Sequence, residues 1–394
     1  MGAAPLVGTT MPRDRLRIMR IIARMNVGGP AVQASLLTTS LDADRFESRL
    51  LVGSVEHGET EFTALRPTGV PLRRIPGLGR APRPLDDARA LRAIAAELRQ
   101  FRPHIVHTHT AKAGALGRLA AVTSRVPARV HTFHGHLLHG YFSRSRTRAV
   151  IGVESLLAQW TSRLVAVGAG VRDDLLSSGV GQREQYVVIP PGVDLPEAPC
   201  STEARRQLSL EPEGLIVAYV GRLTRVKRPD RFLETAFALA KTRPDVTFLV
   251  VGDGELRDHA ETRARLLGPR IRFLGWRPDV ENVYSAADVI VLTSDNEGMP
   301  YSLIEAALSG RPAVTTGVGS AAEVVVDGVT GFVTARSATA LAYAVGRLLD
   351  DPPLRAQLGT AARERAQREF SAARLIHDTE ALYERVAAES ISPS

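Results

Sequence analysis

A single cysteine, Cys200, stands in 394 residues. No intrachain disulfide framework can form, and a reducing cytoplasm is the expected compartment. No apolar run approaches the ~18 residues of a membrane span, and residues 1–13 have no apolar stretch of signal-peptide length. Aromatic residues make up only 5% and are not interleaved with the arginines, which argues against nucleic acid as a partner. Lysine is scarce as well: Lys112, Lys227 and Lys241 are the only three, and arginine carries the remaining positive charge. Neither a sequence repeat nor a low-complexity stretch is present.

What remains is a chain of ordinary globular composition, 44% hydrophobic and 23% charged. Its length predicts two domains. The net charge of +8 is unevenly placed, +10 over residues 1–200 and −2 over 201–394. A basic first half suits a polyanionic partner such as an anionic membrane surface or a phosphorylated acceptor.

Short β-branched runs alternate with helical patterns throughout, the mark of parallel sheets joined by crossover helices. Strands are predicted at residues 16–22, 46–52, 104–109, 129–133, 163–167 and 186–189, then at 215–220, 246–251, 271–274, 289–293, 313–315 and 332–333. Residues 86–101 read as an amphipathic helix with Leu91, Ile94, Leu98 and Phe101 on one stripe. Proline density rises around Pro190, Pro191, Pro196 and Pro199, so a linker is placed there. The expected organisation is a first α/β domain over 1–196, a second over 197–370, and a closing helix in 371–394. In open parallel sheets ligands bind beyond the carboxyl ends of the strands. Two such sheets across a cleft would bring two substrates together.

Four segments just after predicted strands carry candidate chemistry. Gly28-Gly29-Pro30 opens a helix, where paired glycines allow close backbone approach and free N–H groups suit an anion. It lacks the full G-x-G-x-x-G spacing, which disfavours a dinucleotide oxidoreductase. Gly221-Arg222-Leu223-Thr224-Arg225-Val226-Lys227-Arg228 runs from a buried strand into a loop with four cations, suited to a departing diphosphate. In Ser294-Asp295-Asn296-Glu297-Gly298-Met299-Pro300, Pro300 opens a helix. The Gly298 and Met299 N–H groups face a phosphate, Glu297 faces a sugar, and Glu305 accepts two ribose hydroxyls. His131-Thr132-Phe133-His134-Gly135-His136 lies beside His107-Thr108-His109. No carboxylate or cysteine completes a metal set there, and His134 sits where an imidazole can bond sugar hydroxyls.

In order and spacing, Gly28-Gly29, the His134 segment, Gly221-Arg222 with Lys227, and the Glu297/Glu305 pair resemble family 4 of the retaining glycosyltransferases. The match extends along nearly the whole chain. The resemblance implies the GT-B architecture, two Rossmann-like doubly wound domains facing a central cleft. It implies a hexosyltransferase with a nucleotide-diphosphate sugar, a UDP-sugar, as co-substrate, no tightly bound cofactor and no metal. Arg222 and Lys227 then grip the diphosphate, Glu305 holds the ribose, Glu297, Gly298 and Met299 contact the transferred sugar, and His134 stands at the reacting face. Many members have phenylalanine before the loop glycine, whereas here Glu297 runs directly into Gly298-Met299-Pro300. The family's final helix crosses back onto the first domain, for which Leu375, Leu382 and Val386 have the spacing.

The acceptor, a hydroxyl compound, falls to the first domain, with His109, Lys112 and His136 as candidate contacts. Lys112, Arg118 and Arg144, Arg146 and Arg148 are placed to hold a lipid-linked phosphate, giving peripheral contact with the inner membrane face. No first-domain carboxylate is placed to act as a nucleophile, so a front-face route is expected, the leaving phosphate taking the acceptor proton. A non-hydrolysing nucleotide-sugar epimerase of the same fold is the nearest rival. Scarce lysine beside abundant arginine and alanine points to a high-GC bacterial genome, which leaves cell-envelope polysaccharide and secondary-metabolite glycosylation both open.

Overall fold

The computed structural model describes residues 15–26, 28–55, 61–62, 69–79, 81–135 and 144–391. Seven strands form the first sheet: β1 Leu16–Ile22, β2 Phe46–Val52, β3 Leu72–Arg74, β4 Ile105–His109, β5 Ala128–Phe133, β6 Arg163–Ala166 and β7 Tyr186–Val188. Their spatial order is β3-β2-β1-β4-β5-β6-β7, every pairing parallel. The second sheet holds β8 Leu215–Val220, β9 Val246–Val251, β10 Ile271–Gly275, β11 Val289–Leu292, β12 Ala313–Thr316 and β13 Gly331–Thr334. Its order is β10-β9-β8-β11-β12-β13, again parallel.

Central strands such as β8, Leu-Ile-Val-Ala-Tyr-Val, are apolar at almost every position because helices cover both faces of the sheet. Both strand orders reverse direction once, between β1 and β4 and between β8 and β11, which opens a crevice at the carboxyl ends. One strand escaped the sequence reading. β3 is a three-residue edge strand whose two arginines are exposed, so it carries no apolar signal.

The predicted amphipathic helix runs from Pro84 to Phe101 and buries Ala90, Ile94, Leu98 and Phe101, with Leu91 half-buried beside them. The last helix, Ala372–Ile391, leaves the second domain and packs Leu375, Leu382, Tyr383 and Val386 among Ile18, Phe46, Ile105 and Val130 of the first. Such burial contributes roughly 1.5–3 kcal/mol per large apolar side chain. Glu380 adds a polar tie, accepting from the Asp42 N–H at 2.8 Å and pairing with Arg45 at 3.0 Å.

Candidate active site

On the first-domain side, β4 and β5 lie adjacent in register, His107 opposite Val130 and His109 opposite Thr132. This brings His107, His109 and His134 together, while His131, opposite Thr108, lies on the other face of the sheet. His107 is buried, its Nδ1 2.6 Å from the Tyr383 hydroxyl and its Nε2 2.7 Å from Thr132 Oγ1. Arg20 Nη2 donates to the same Tyr383 oxygen at 3.1 Å, so the tyrosine proton goes to His107 Nδ1, and His107 donates from Nε2 to Thr132. His109 stacks on His107 with ring centroids 4.4 Å apart, and its Nδ1 lies 2.9 Å from His134 Nε2. Among the described residues His109 Nε2 is buried with no partner. A proton there would be an unpaired buried donor, so the proton belongs on Nδ1 and is donated to His134. That leaves His134 with its own proton on Nδ1.

All four rings are held neutral. Burial, then Arg20, drives His107 well below the usual histidine range; burial and the neighbouring imidazoles do the same to His109; and burial, then Arg118, to His131. Burial pushes His134 down to about 3. His134 therefore serves as a neutral hydrogen-bonding group and not as an imidazolium.

On the second-domain side, the loops after β8 and β11 converge. Lys227, in the tight turn Arg225–Lys227, reaches the buried Glu297 carboxylate at 2.6 Å. Ser294 Oγ donates to the same Glu297 oxygen. Arg228, left-handed at φ 53°, binds Asp230 and Asp295, and buried Arg231 donates to the Thr293 carbonyl and to Asp295. These bonds hold both loops together. Arg222 is different: it is exposed, and no described side chain or carbonyl accepts from its guanidinium. Glu305, in the helix Tyr301–Leu308, accepts from the buried Tyr284 hydroxyl at 2.7 Å and remains part-exposed.

The two sides touch. A Cβ on Gly298 would lie 2.0 Å from the His134 carbonyl oxygen, and one on Gly29 would lie 2.3 Å from the Tyr301 ring. Only hydrogen fits at these two crossings. A third contact clasps the domains further along the cleft. The Glu323 carboxylate accepts from the N–H groups of Ala169 and Gly170, at 2.8 and 2.7 Å, at the start of the helix Ala169–Ser177. A carboxylate at a helix N-terminus is favoured by the dipole as well as by both bonds.

Six of the sequence-predicted residues thus meet at one junction: Gly29, His134, Lys227, Glu297, Gly298 and, just before Tyr301, Pro300. Gly28 and Gly221 flank it at the ends of the same loops. Other assignments need correction. Pro300 caps its helix from outside, since the helix begins at Tyr301. The Met299 side chain turns into the core, leaving only its backbone at the cleft. His109 is fully buried and supports His134 without reaching an acceptor. Lys112 pairs with Asp87 at 2.5 Å and donates to the Ala81 carbonyl at 2.7 Å, while Arg118 is buried against Glu154. Both are thus tied to partners inside the first domain. His136 lies outside the described residues. Tyr301, Glu323 and the Arg20–Tyr383–His107 network were missed; each acts through a partner far away in the chain, which no local spacing reveals. Among the described residues, no three histidine, cysteine, aspartate or glutamate side chains cluster as metal ligands.

The family profile described as "Glycosyl transferases group 1" matches residues 201–365, and that described as "Glycosyl transferase 4-like domain" matches residues 28–192. The chain belongs to the group 1, family 4 glycosyltransferases. Among its curated relatives, the D-inositol 3-phosphate glycosyltransferase of Corynebacterium aurimucosum is 34% identical over 300 residues, 71% of each chain. The UDP-Gal:alpha-D-GlcNAc-diphosphoundecaprenol alpha-1,3-galactosyltransferase of Escherichia coli is 32% identical over 243 residues, 59% of this chain and 63% of that one. The chain thus spans less than two thirds of the latter's length. The Anabaena protein Alr3699/HepE, crystallised with UDP and glucose, superposes with a TM-score of 0.81 over 94% of this chain and all of that one, at 23% identity. The fold is GT-B, and these matches do not favour the epimerase reading. Among the described residues no helix is long and apolar enough to cross a membrane.

Proposed function

We propose that the protein transfers a hexosyl group from a UDP-sugar to a hydroxyl acceptor with retention of anomeric configuration. The observation that carries this reading is the junction at Gly298, where the Lys227–Glu297 ion pair of one domain abuts the His134 carbonyl of the other. Arg222, without a partner for its guanidinium among the described residues, and Lys227 supply positive charge for the departing diphosphate, and Glu305 is exposed enough to accept ribose hydroxyls. Neutral His134 donates from Nδ1 to a sugar hydroxyl and moves no proton itself. The C1–O bond to the diphosphate breaks while the acceptor oxygen joins C1 on the same face. The acceptor's proton passes to the leaving phosphate, and the closed cleft keeps water from C1.

The relatives support the donor and acceptor classes. The Anabaena protein was crystallised with UDP, and the Escherichia coli relative acts on a diphosphate-linked lipid. The acceptor is of that lipid-linked kind, and the reaction needs no tightly bound cofactor and no metal.

Thermal melting with UDP, GDP and their sugars, with and without magnesium, tests the donor site, because a tight ligand raises the midpoint by mass action. A selective rise with UDP that survives chelator is expected. Lys227→Ala should lower kcat by about 10²–10³, the effect of deleting one oxyanion-type donor. Parental turnover in that variant would remove Lys227 from the mechanism.

A further inference from the structure

The helix Arg144–Ala158 is built inside out. Its inner face is anchored normally: Leu157 and Ala158 are buried, Ile151 packs beside them, and Glu154 is buried against Arg118. Its outer face would ordinarily be polar. Here Ala149, Gly152, Val153, Leu156 and, just beyond the last turn, Trp160 face solvent. Val153 is 51%, Leu156 49% and Trp160 40% exposed. Glu154, the one ionisable side chain from 149 to 160, points inward.

The chain leading into the helix carries one sign of charge. Between Glu97 and Glu154 the chain has nine lysines and arginines and no aspartate or glutamate. Some are committed inside, as Lys112 and Arg118 are, but Arg125 and Arg148 are exposed. A second copy docking face to face would bring like charges together, whereas anionic headgroups would attract them. An apolar stripe bordered by arginine and ending in tryptophan has the chemistry of the bilayer interface. The helix follows β5, so it starts at the carboxyl edge of the sheet, beside the cleft, and runs about 22 Å toward the opposite edge.

We propose that the face formed by Ala149, Val153, Leu156 and Trp160 is a membrane-docking surface for anionic lipid. It holds the cleft mouth at the headgroup plane, where a lipid-linked acceptor presents its hydroxyl. The acceptor half of this statement rests on the function proposed above; the docking half does not.

The test is sedimentation of the full chain with vesicles of phosphatidylglycerol and phosphatidylethanolamine, against phosphatidylcholine alone, at low and high salt. Binding to the anionic vesicles, weakened by salt, is expected. The double substitution Val153→Glu and Leu156→Glu should weaken it at least about tenfold, since charged groups replace the inserted apolar contacts. Arg148→Glu should weaken it more at low salt than at high. In a Trp276→Phe background, vesicles should shift the remaining Trp160 emission to the blue. The UDP melting shift, kept by all these variants, shows that they are folded. The proposal falls if the parent ignores anionic vesicles at low salt or if the double variant binds as well as the parent. It falls too if the parent is a dimer that the same substitutions dissociate, which would assign the face to a second copy. Vesicle binding without any UDP shift in the parent would strike the transferase reading and leave the surface standing.

Discussion

Lowering the pH from 7.5 to 5.5 should destabilise the first domain before ordinary carboxylates titrate. His107, His109 and His131 are all but fully buried, and each has its folded pKa driven well below the usual value, first by burial. The unfolded chain takes up protons near pH 6.5, the folded chain does not, and so stability rises with pH between the two values. The contribution of these rings is fully present above pH 6.5 and is lost as the pH falls toward their folded values. At pH 5.5 each ring that stays neutral in the native state costs about 1.4 kcal/mol, roughly 4 kcal/mol for the three. That is a large fraction of a typical domain stability of roughly 5–15 kcal/mol. His134, pushed down to about 3 in the folded chain, is also neutral at pH 5.5 and adds a similar amount. Trp160 lies in the first domain and Trp276 in the second, the only two tryptophans in the chain. Urea unfolding of the Trp276→Phe and Trp160→Phe variants at both pH values, at fixed ionic strength, therefore reads each domain separately. The Trp160 transition should move to lower urea at pH 5.5 by far more than the Trp276 transition. Equal midpoints at the two pH values would mean that the histidines are protonated in the native state, and the argument from burial would be wrong.

Gly298→Ala puts a methyl carbon 2.0 Å from the His134 carbonyl oxygen; with misplacement of ~1 Å able to cost on the order of 10²-fold in rate, kcat should collapse. UDP should still raise its melting midpoint, and a variant with parental kcat would show that the junction opens freely. Glu323→Ala removes both bonds to the Ala169 and Gly170 N–H groups. Its radius of gyration by small-angle scattering should increase, and a profile identical to the parent's would show that the clasp does not hold the domains together. Tyr383→Phe leaves buried Arg20 and His107 one partner short. A loss of about 1–3 kcal/mol is expected from urea midpoints, and no loss would mean that both groups find other partners.

The two-sheet architecture was legible because its signals are local. A β-branched run such as residues 246–251 or an apolar stripe such as Ile94, Leu98 and Phe101 reports its own burial through a period of two or of 3.6 residues. Motif residues at strand ends were legible for the same reason: a loop leaving a central strand has one place to go, the carboxyl edge of the sheet. Cations were not legible individually. Lys112 and Arg118 read as free charges beside a phosphate site, yet Asp87 and Glu154 neutralise them inside the fold. Arg222 looked no different, and no described group accepts from its guanidinium.

By itself, then, the sequence determined the alternation of strands and helices, the family and the loops that line the cleft, because these follow from short-range periodicity and motif spacing. Only the tertiary structure decided which glycines are irreplaceable, which histidine is presented and which supports it, and which helix face meets solvent. Each of those depends on a contact between segments far apart in the chain: Gly29 with Tyr301, His107 with Tyr383, Glu323 with the Ala169 and Gly170 backbone. Such a contact has no period to read, and exists only once the two sheets and the returning C-terminal helix are packed.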